Sequence, residues 1–308
     1  MKKITSIIFS VIMLVSFSFS ASAVGEASTT SESFNEYDYI QIIKESTPQE
    51  LATLGVSEQE ATEIISSFED ALSARASLSE TELRGYGYDE SEIALLHAYA
   101  NGETLSPSQL RDLGSNCEGT ITLNNVSANS ASFSYTFTWD RCPIQTLSDS
   151  AAMRWIAYDA DDHEIGVEQD SFSMTVGYYY VDKTSADPSS TLVFLYPGTN
   201  EPNLDFNTLN MQFPVHKTHT GSSGIISDCY AKTGTVNVTI STPSGIDQAI
   251  HHIFVGGLYG HTIWGVGSPS VNVGQGTINI SFTGNTSIDP IASKRGTIYR
   301  ASSTIEYW

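Results

Sequence analysis

The sequence predicts an α+β protein in separate segments, a small helical bundle followed by an antiparallel all-β sandwich region. Three observations predict it. Between residues 38 and 115 a capped helix–Gly–helix unit repeats. From 116 to 308 apolar residues alternate with hydroxyl residues at a period of two, as on a half-buried strand. Loops rich in Gly, Pro, Asn and Ser separate these runs, and little helical pattern intervenes, which favours stacked antiparallel sheets. One large sandwich and two smaller ones both fit, with 184–204 as the place for a subdivision.

The chain opens on a pattern that reads as a secretory signal over 1–23. Lys2 and Lys3 give a positive start, Ile4 to Phe17 an apolar run, and Ala21-Ser22-Ala23 the small-x-small site for cleavage between Ala23 and Val24. The run is shorter than the roughly 20 residues that span a bilayer, so a released chain without a stable membrane anchor is expected. Residues 24–37, rich in Ser, Thr and Glu, read as a flexible acidic lead-in.

The helical repeat has a legible physics. Thr47, Ser79 and Ser106 each precede Glu or Gln by three residues, the spacing at which two side chains satisfy the free amides of a helix start. Ser57 and Asp89, followed by Glu60 and Glu92, do the same for the next helix of each unit. Pro48 and Pro107 fall in the first turn, where a missing N–H costs nothing. Gly55, Gly87 and Gly114 are expected to end the short helices in a left-handed conformation. Ile64, Ile65 and Phe68, then Ile93, Leu96 and Tyr99, recur at helical spacing and are the candidate core. Leu51-x-x-Leu54-Gly55-Val56-Ser57 and its counterpart ending at Asp89 resemble three-helix ubiquitin-associated modules over fewer than 20 residues per copy. The pattern is common in helical hairpins and no function is carried over from that resemblance; a structural or docking bundle is expected.

In the β region the strand candidates are Gly119–Val126, Ser132–Trp139, Met153–Tyr158, Phe172–Tyr180, Thr191–Tyr196, Ile225–Tyr230, Val236–Ile240, Ile278–Thr283 and Thr297–Tyr307. Cys117 and Cys142 flank a predicted hairpin at the same end, where a disulfide is geometrically open and export permits it; buried free thiols are the alternative. Cys229 is then left over.

Charge narrows the partners. The chain carries 35 acidic against 14 basic residues, a net of -21, which disfavours nucleic acid. No phosphate-cradling, dinucleotide or nucleophile-elbow motif is present. Six candidate features remain. Cys229 has His251, His252 and His261 downstream, and a thiol nucleophile needs an imidazole. Asp228-Cys229 and Gly260-His261-Thr262-Ile263 resemble segments of NlpC/P60 cell-wall peptidases over about six residues. The resemblance implies a cysteine–histidine peptidase, but Tyr230-Ala231 replaces that family's Ser-Gly, and a strand replaces its helix. His216, His219, His251 and His252 are possible zinc ligands, although strand spacing turns such pairs to opposite faces. Asp159–Gly166 offers oxygen ligands for calcium, or a hairpin turn. Ile250–Val266 reads as core strand with glycine bends, or as a membrane-inserting element. Tyr178-Tyr179-Tyr180 offers a ligand face, or ordinary core. Asn125, Asn237, Asn279 and Asn285 open glycosylation triplets of the kind that Ser/Thr-rich strands produce by chance.

The expected protein is secreted, extracellular and non-catalytic. Its β region is expected to carry a binding, adhesive or structural role toward an extracellular protein, glycan or surface, with no cofactor and no metal. The alternatives are a pore-forming protein and a peptidase using Cys229 with a histidine.

Overall fold

The computed structural model describes residues 29–54, 56–127, 129–181, 191–195, 207–220, 224, 226–245, 249–262, 268–274, 277–283, 288–289 and 298–300. The leader with its Ala23–Val24 junction, Gly55, the 184–190 and 196–206 stretches, Asn285 and the closing residues lie outside them.

The chain enters on a strand. β1 (Thr29–Asn35) pairs antiparallel with β2 (Asn116–Ser127), from Thr29↔Thr122 to Asn35↔Asn116. Part of the expected lead-in is therefore a sheet edge. Its polar composition hides one anchor: Phe34 packs against both hydrophobic cores and meets Trp139 edge-on at 5.9 Å. The six helices among the described residues lie between two directly paired residues, so the helical module is an insertion in a β hairpin.

The helices are α1 (Glu36–Glu45), α2 (Pro48–Thr53), α3 (Glu58–Ala76), α4 (Glu80–Gly85), α5 (Glu90–Ala100) and α6 (Pro107–Leu113). Each expected N-terminal cap is formed. Thr47/Glu50, Ser57/Glu60, Ser79/Glu82, Asp89/Glu92 and Ser106/Gln109 all make reciprocal capping boxes, and both prolines sit in first turns. Ile64, Phe68, Ile93 and Leu96 are buried in one core with Ile40, Ile43, Leu72 and Leu83, while Ile65 and Tyr99 are partly buried against it. Gly87 is left-handed, with φ 97°. Gly114 is not: its backbone is extended because the chain runs straight into β2. Its lack of a side chain serves close approach instead, since a Cβ there would sit 2.7 Å from Asn35 Oδ1.

Asn35 closes the neck of the insertion. Its side-chain oxygen accepts from Tyr37 N–H, and its Nδ2 donates to the carbonyls of Arg111 and Gly114 and to Asn116 Oδ1. One residue thus starts α1, ends α6 and holds the two strands in register.

The remaining strands are β3 (Ser130–Trp139), β4 (Ser148–Tyr158), β5 (Glu164–Ile165), β6 (Glu168–Tyr180), β7 (Thr191–Leu195), β8 (Thr208–Pro214), β9 (His216–Thr220), β10 (Ile226–Ser241), β11 (His252–Thr262), β12 (Ser268–Gly274), β13 (Thr277–Thr283), β14 (Ile288–Asp289) and β15 (Ile298–Arg300). Every pairing is antiparallel. The larger sheet runs β1-β2-β3-β10-β6-β7, with β9 beside β10. The second runs β14-β11-β4-β5, with β8 also on β4 and β15 also on β11, and β12-β13 form a separate pair. These pairings close no barrel among the described residues.

One hydrophobic core draws on both larger sheets: Phe133, Tyr135, Phe137 and Trp139 from β3, Trp155 from β4, Phe213 from β8, and Val255 and Tyr259 from β11. Phe137 and Phe213 stack at 5.2 Å and 2°. The two strands expected at 225–230 and 236–240 are one, β10, carried through by a bulge between Ala231 and Thr233. β1, β8, β9 and β12 have no clear counterpart in the sequence reading.

Candidate functional site

The densest ionisable cluster lies where the helical module meets the sheets. Glu36 opens α1, Asp149 lies on β4 and His261 on β11; all three side chains are 0% exposed. His261 Nε2 is 3.1 Å from Glu36 Oε1, and Nδ1 is 3.0 Å from Asp149 Oδ2. An imidazolium donates from both ring nitrogens, which matches a carboxyl oxygen placed on each side of the ring. Burial opposes that charge, but the Asp149 and Glu36 carboxylates outweigh it and hold the imidazole pKa at about 10.

The carboxylates are themselves saturated. Glu36 accepts from the backbone N–H groups of Ser115, Ile144 and Gln145. Asp149 accepts from Thr262 N–H and from the Tyr259 hydroxyl, which accepts in turn from Trp139 Nε1. The Trp139 ring meets the imidazole at 4.9 Å.

A buried cation grips the same β3–β4 loop from the other side. Arg75, on α3, donates to the carbonyls of Cys142 and Pro143 and lies 4.2 Å above the Tyr86 ring. Burial would lower its pKa; Tyr88, Cys142, Tyr86 and Glu36 more than reverse that, so it stays charged. Arg141, on the loop itself, pairs with Glu92 of α5 at 2.7 Å. Residues 142–145 therefore give their carbonyls to Arg75 and their amides to Glu36. With Asp149 and His261 the buried charges sum to zero, and the network joins modules distant in sequence. At its centre Glu36, His261 and Asp149 are enclosed and hydrogen-bonded, an arrangement suited to fixing the two modules in place.

Of the two alternatives for Cys117 and Cys142, a bridge or buried free thiols, the structure holds the second; all three cysteines are free and buried. The hairpin does bring their backbones together, with Cys117 opposite Trp139. The side chains part: Cys117 enters the core that draws on both larger sheets, while Cys142 packs with Val181 and Tyr230 beneath Arg75. Burial raises the Cys142 thiol to about 12. Cys229 lies in β10 and donates to Lys217 O; burial raises its thiol to about 11. Of the three histidines considered with it, His261 is committed to Glu36 and Asp149. His252 stacks on Tyr158 at 4.6 Å, and His251 meets the His252 ring at 6.1 Å.

His216 and His219 stand in β9, three apart on an extended strand, and His219 meets the Tyr180 ring edge-on. No group of three His, Cys, Asp or Glu side chains among the described residues is placed to hold a metal ion. Asp159 Oδ1 accepts from the N–H groups of Asp161 and His163, folding 159–163 into the turn of the β4–β5 hairpin. In the 250–266 segment, β11 pairs along β4, and Ile253, Val255 and Tyr259 enter the core. Gly257 lets the Tyr135 ring lie over it, and 263–266 fall outside the described residues. No described helix is long and apolar enough to cross a membrane. Of the tyrosine strip, Tyr178 is core and donates to Pro214 O, Tyr179 packs on Tyr230, and Tyr180 lies partly buried against the core.

The solvent side of the larger sheet is a second feature. Its register sets Thr120, Thr136, Thr235 and Thr175 in one row across β2, β3, β10 and β6, and Thr122, Ser134, Asn237 and Ser173 in the next. Ser132, Thr239 and Ser171 flank one side; Glu118, Thr138 and Thr233 flank the other. These residues are half-buried or exposed, and Glu118 carries the single charge among them. Cross-strand contacts Thr136–Thr235 at 3.1 Å, Thr138–Thr233 at 3.3 Å and Asn237–Ser173 at 3.1 Å tie the rows together. The face ends at Tyr230, which Tyr86, the residue that follows α4, covers.

No family model matches the chain, and no curated protein matches it. A solved structure described as "AvmM Catalyzes Macrocyclization in Alchivemycin A Biosynthesis" aligns over 46% of this chain and 72% of its own at 9% identity, with a TM-score of 0.18. A likeness at that level carries no argument about fold or activity.

Proposed function

We propose that this is a secreted, non-catalytic binding protein in which the two larger sheets pack as one sandwich and the hydroxyl-lined side of the larger sheet is the binding surface. One observation carries the reading: on a chain of net charge -21, four adjacent strands present rows of uncharged donors and acceptors to solvent. A central sheet face is rigid, so its side chains are placed before a partner arrives, which lowers the ordering cost of association. The His261 cluster and the three cysteines are buried. The His261 cluster is sealed and saturated, and the buried thiols are protonated at neutral pH. The leader-like first 23 residues support export.

The test has two arms. Expressed with its leader, the chain is expected in the medium with Val24 as its first residue, by N-terminal sequencing. The mature chain is then expected to be retained saturably by an extracellular matrix or cell-wall preparation. Retention by none of them, or release of dye from liposomes by the mature chain, overturns the reading.

A further inference from the structure

We infer that the partner of this face is a neutral polysaccharide, bound through its hydroxyl groups across the β2-β3-β10-β6 rows; the inference rests on the binding-surface reading above.

The chemistry of the rows selects the partner. Each Ser or Thr hydroxyl offers one donor and two acceptor sites, and the Asn237 amide offers both kinds. The cross-strand pairs, Thr136 with Thr235 and Asn237 with Ser173, engage only part of that capacity. Sugar hydroxyls carry the same dual character, so either side can donate to the other without a fixed polarity. A polyanion is disfavoured by the charge of -21, and a polycation finds only Glu118 among the rows. A protein partner is disfavoured because protein interfaces concentrate their energy on buried aromatic, Arg or large apolar anchors, and the rows hold none.

The geometry selects a polymer over a small molecule. Strands lie about 4.8 Å apart, and side chains on one face repeat about every 6.8 Å along each strand. The result is a grid open to solvent rather than a concave pocket. Such a grid gains affinity by repeating modest contacts along an extended, repeating ligand. Threonine suits that task twice over: its hydroxyl meets sugar hydroxyls, and its methyl meets the C–H faces of the ring. Tyr86, seated over Tyr230, closes one end of the grid and limits where a chain can lie.

The experiment measures retention of the mature chain on insoluble cellulose and chitin, on an anionic polysaccharide gel and on a protein-coated resin, at low and high salt. A Thr136→Val/Thr235→Val variant is measured alongside. Valine keeps the β-branched shape and removes the hydroxyls, and an unchanged melting temperature confirms that the variant folds. Saturable, salt-insensitive retention on cellulose or chitin is expected, weakened about tenfold in the variant, as two lost hydrogen bonds imply. Retention on the anionic or protein matrix alone, lost in the variant, overturns the polysaccharide assignment and leaves the binding surface standing. Retention on cellulose or chitin that the variant does not weaken overturns the assignment to these rows. Retention on none of the four overturns both.

Discussion

Replacing His261 by Gln is expected to remove a specific pH dependence of stability. The imidazole has an ordinary pKa of 6.5 and is held at about 10 in the folded protein, so the native state keeps a proton that the unfolded chain gives up. The stabilisation is therefore fully present below about pH 6.5, shrinks by about 1.4 kcal/mol per pH unit above it, and is gone above about pH 10. Across that window the shift amounts to about 5 kcal/mol, in line with the roughly 3–5 kcal/mol lost when one partner of a buried ion pair is removed. At pH 6.5 the variant should melt roughly 5–15 °C below the parent. The two should converge as pH approaches 10, because the parent then also holds Glu36 and Asp149 without a countercharge between them. Denaturant unfolding of both chains at half-unit steps from about pH 6 to 10 measures this, and the difference between the two curves cancels the tyrosines, thiols and lysines that titrate nearby. Parallel curves would refute the reasoning, since they would mean that His261 is not protonated between the two carboxylates.

Three further outcomes test the junction. Gly85→Ala places a Cβ 1.4 Å from Val181 O, a backbone atom that cannot swing aside, so α4 must lift from the end of β6; a loss of about 1–3 kcal/mol is expected by chemical denaturation. Arg75→Met strips the Cys142 and Pro143 carbonyls of their donor, and about 2–4 kcal/mol should be lost, with amide exchange quickening first in 140–147. The native protein should leave a thiol reagent unconsumed, and the denatured, unreduced protein should consume three equivalents. Consumption of one would mean that Cys117 and Cys142 are bridged.

The legible part of the fold was local. A capping box spans four residues, so Thr47, Ser57, Ser79, Asp89 and Ser106 announced their helices without help from the rest of the chain. The alternation of β3 was equally plain, because a buried aromatic stands at every second position. What escaped depends on distance. Glu36 and His261 are 225 positions apart, and nothing around Glu36 distinguishes it from the solvent-facing acids that open α3 and α5. His261 was visible only as a partner for Cys229, which lies in the other sheet. β1 escaped because strand patterning needs several inward residues, and Phe34 is its one large apolar anchor. The cysteine hairpin was legible in its backbone, but the choice between a bridge and buried free thiols was not. Sequence spacing fixes which strand ends meet, but not that Trp139 and Arg75 draw the two sulfurs into different layers.

The insertion explains why so much charge is buried at one place. A helical module held only by Asn35↔Asn116 would pivot on a two-stranded neck. Apolar contact can resist that motion, and Tyr86 on Tyr230 does so, but apolar contact is tolerant of sliding. A carboxylate that takes three backbone amides and an imidazolium is not tolerant, because any shift leaves one of them unpaired in a medium that cannot solvate it. Glu36 sits at the first residue after the neck, and Arg75 at the far end of the longest helix, so the loop 142–145 is held by two points that together fix an orientation. That arrangement sets where α4 ends over the larger sheet, and hence how much of the hydroxyl face remains open beyond Tyr230.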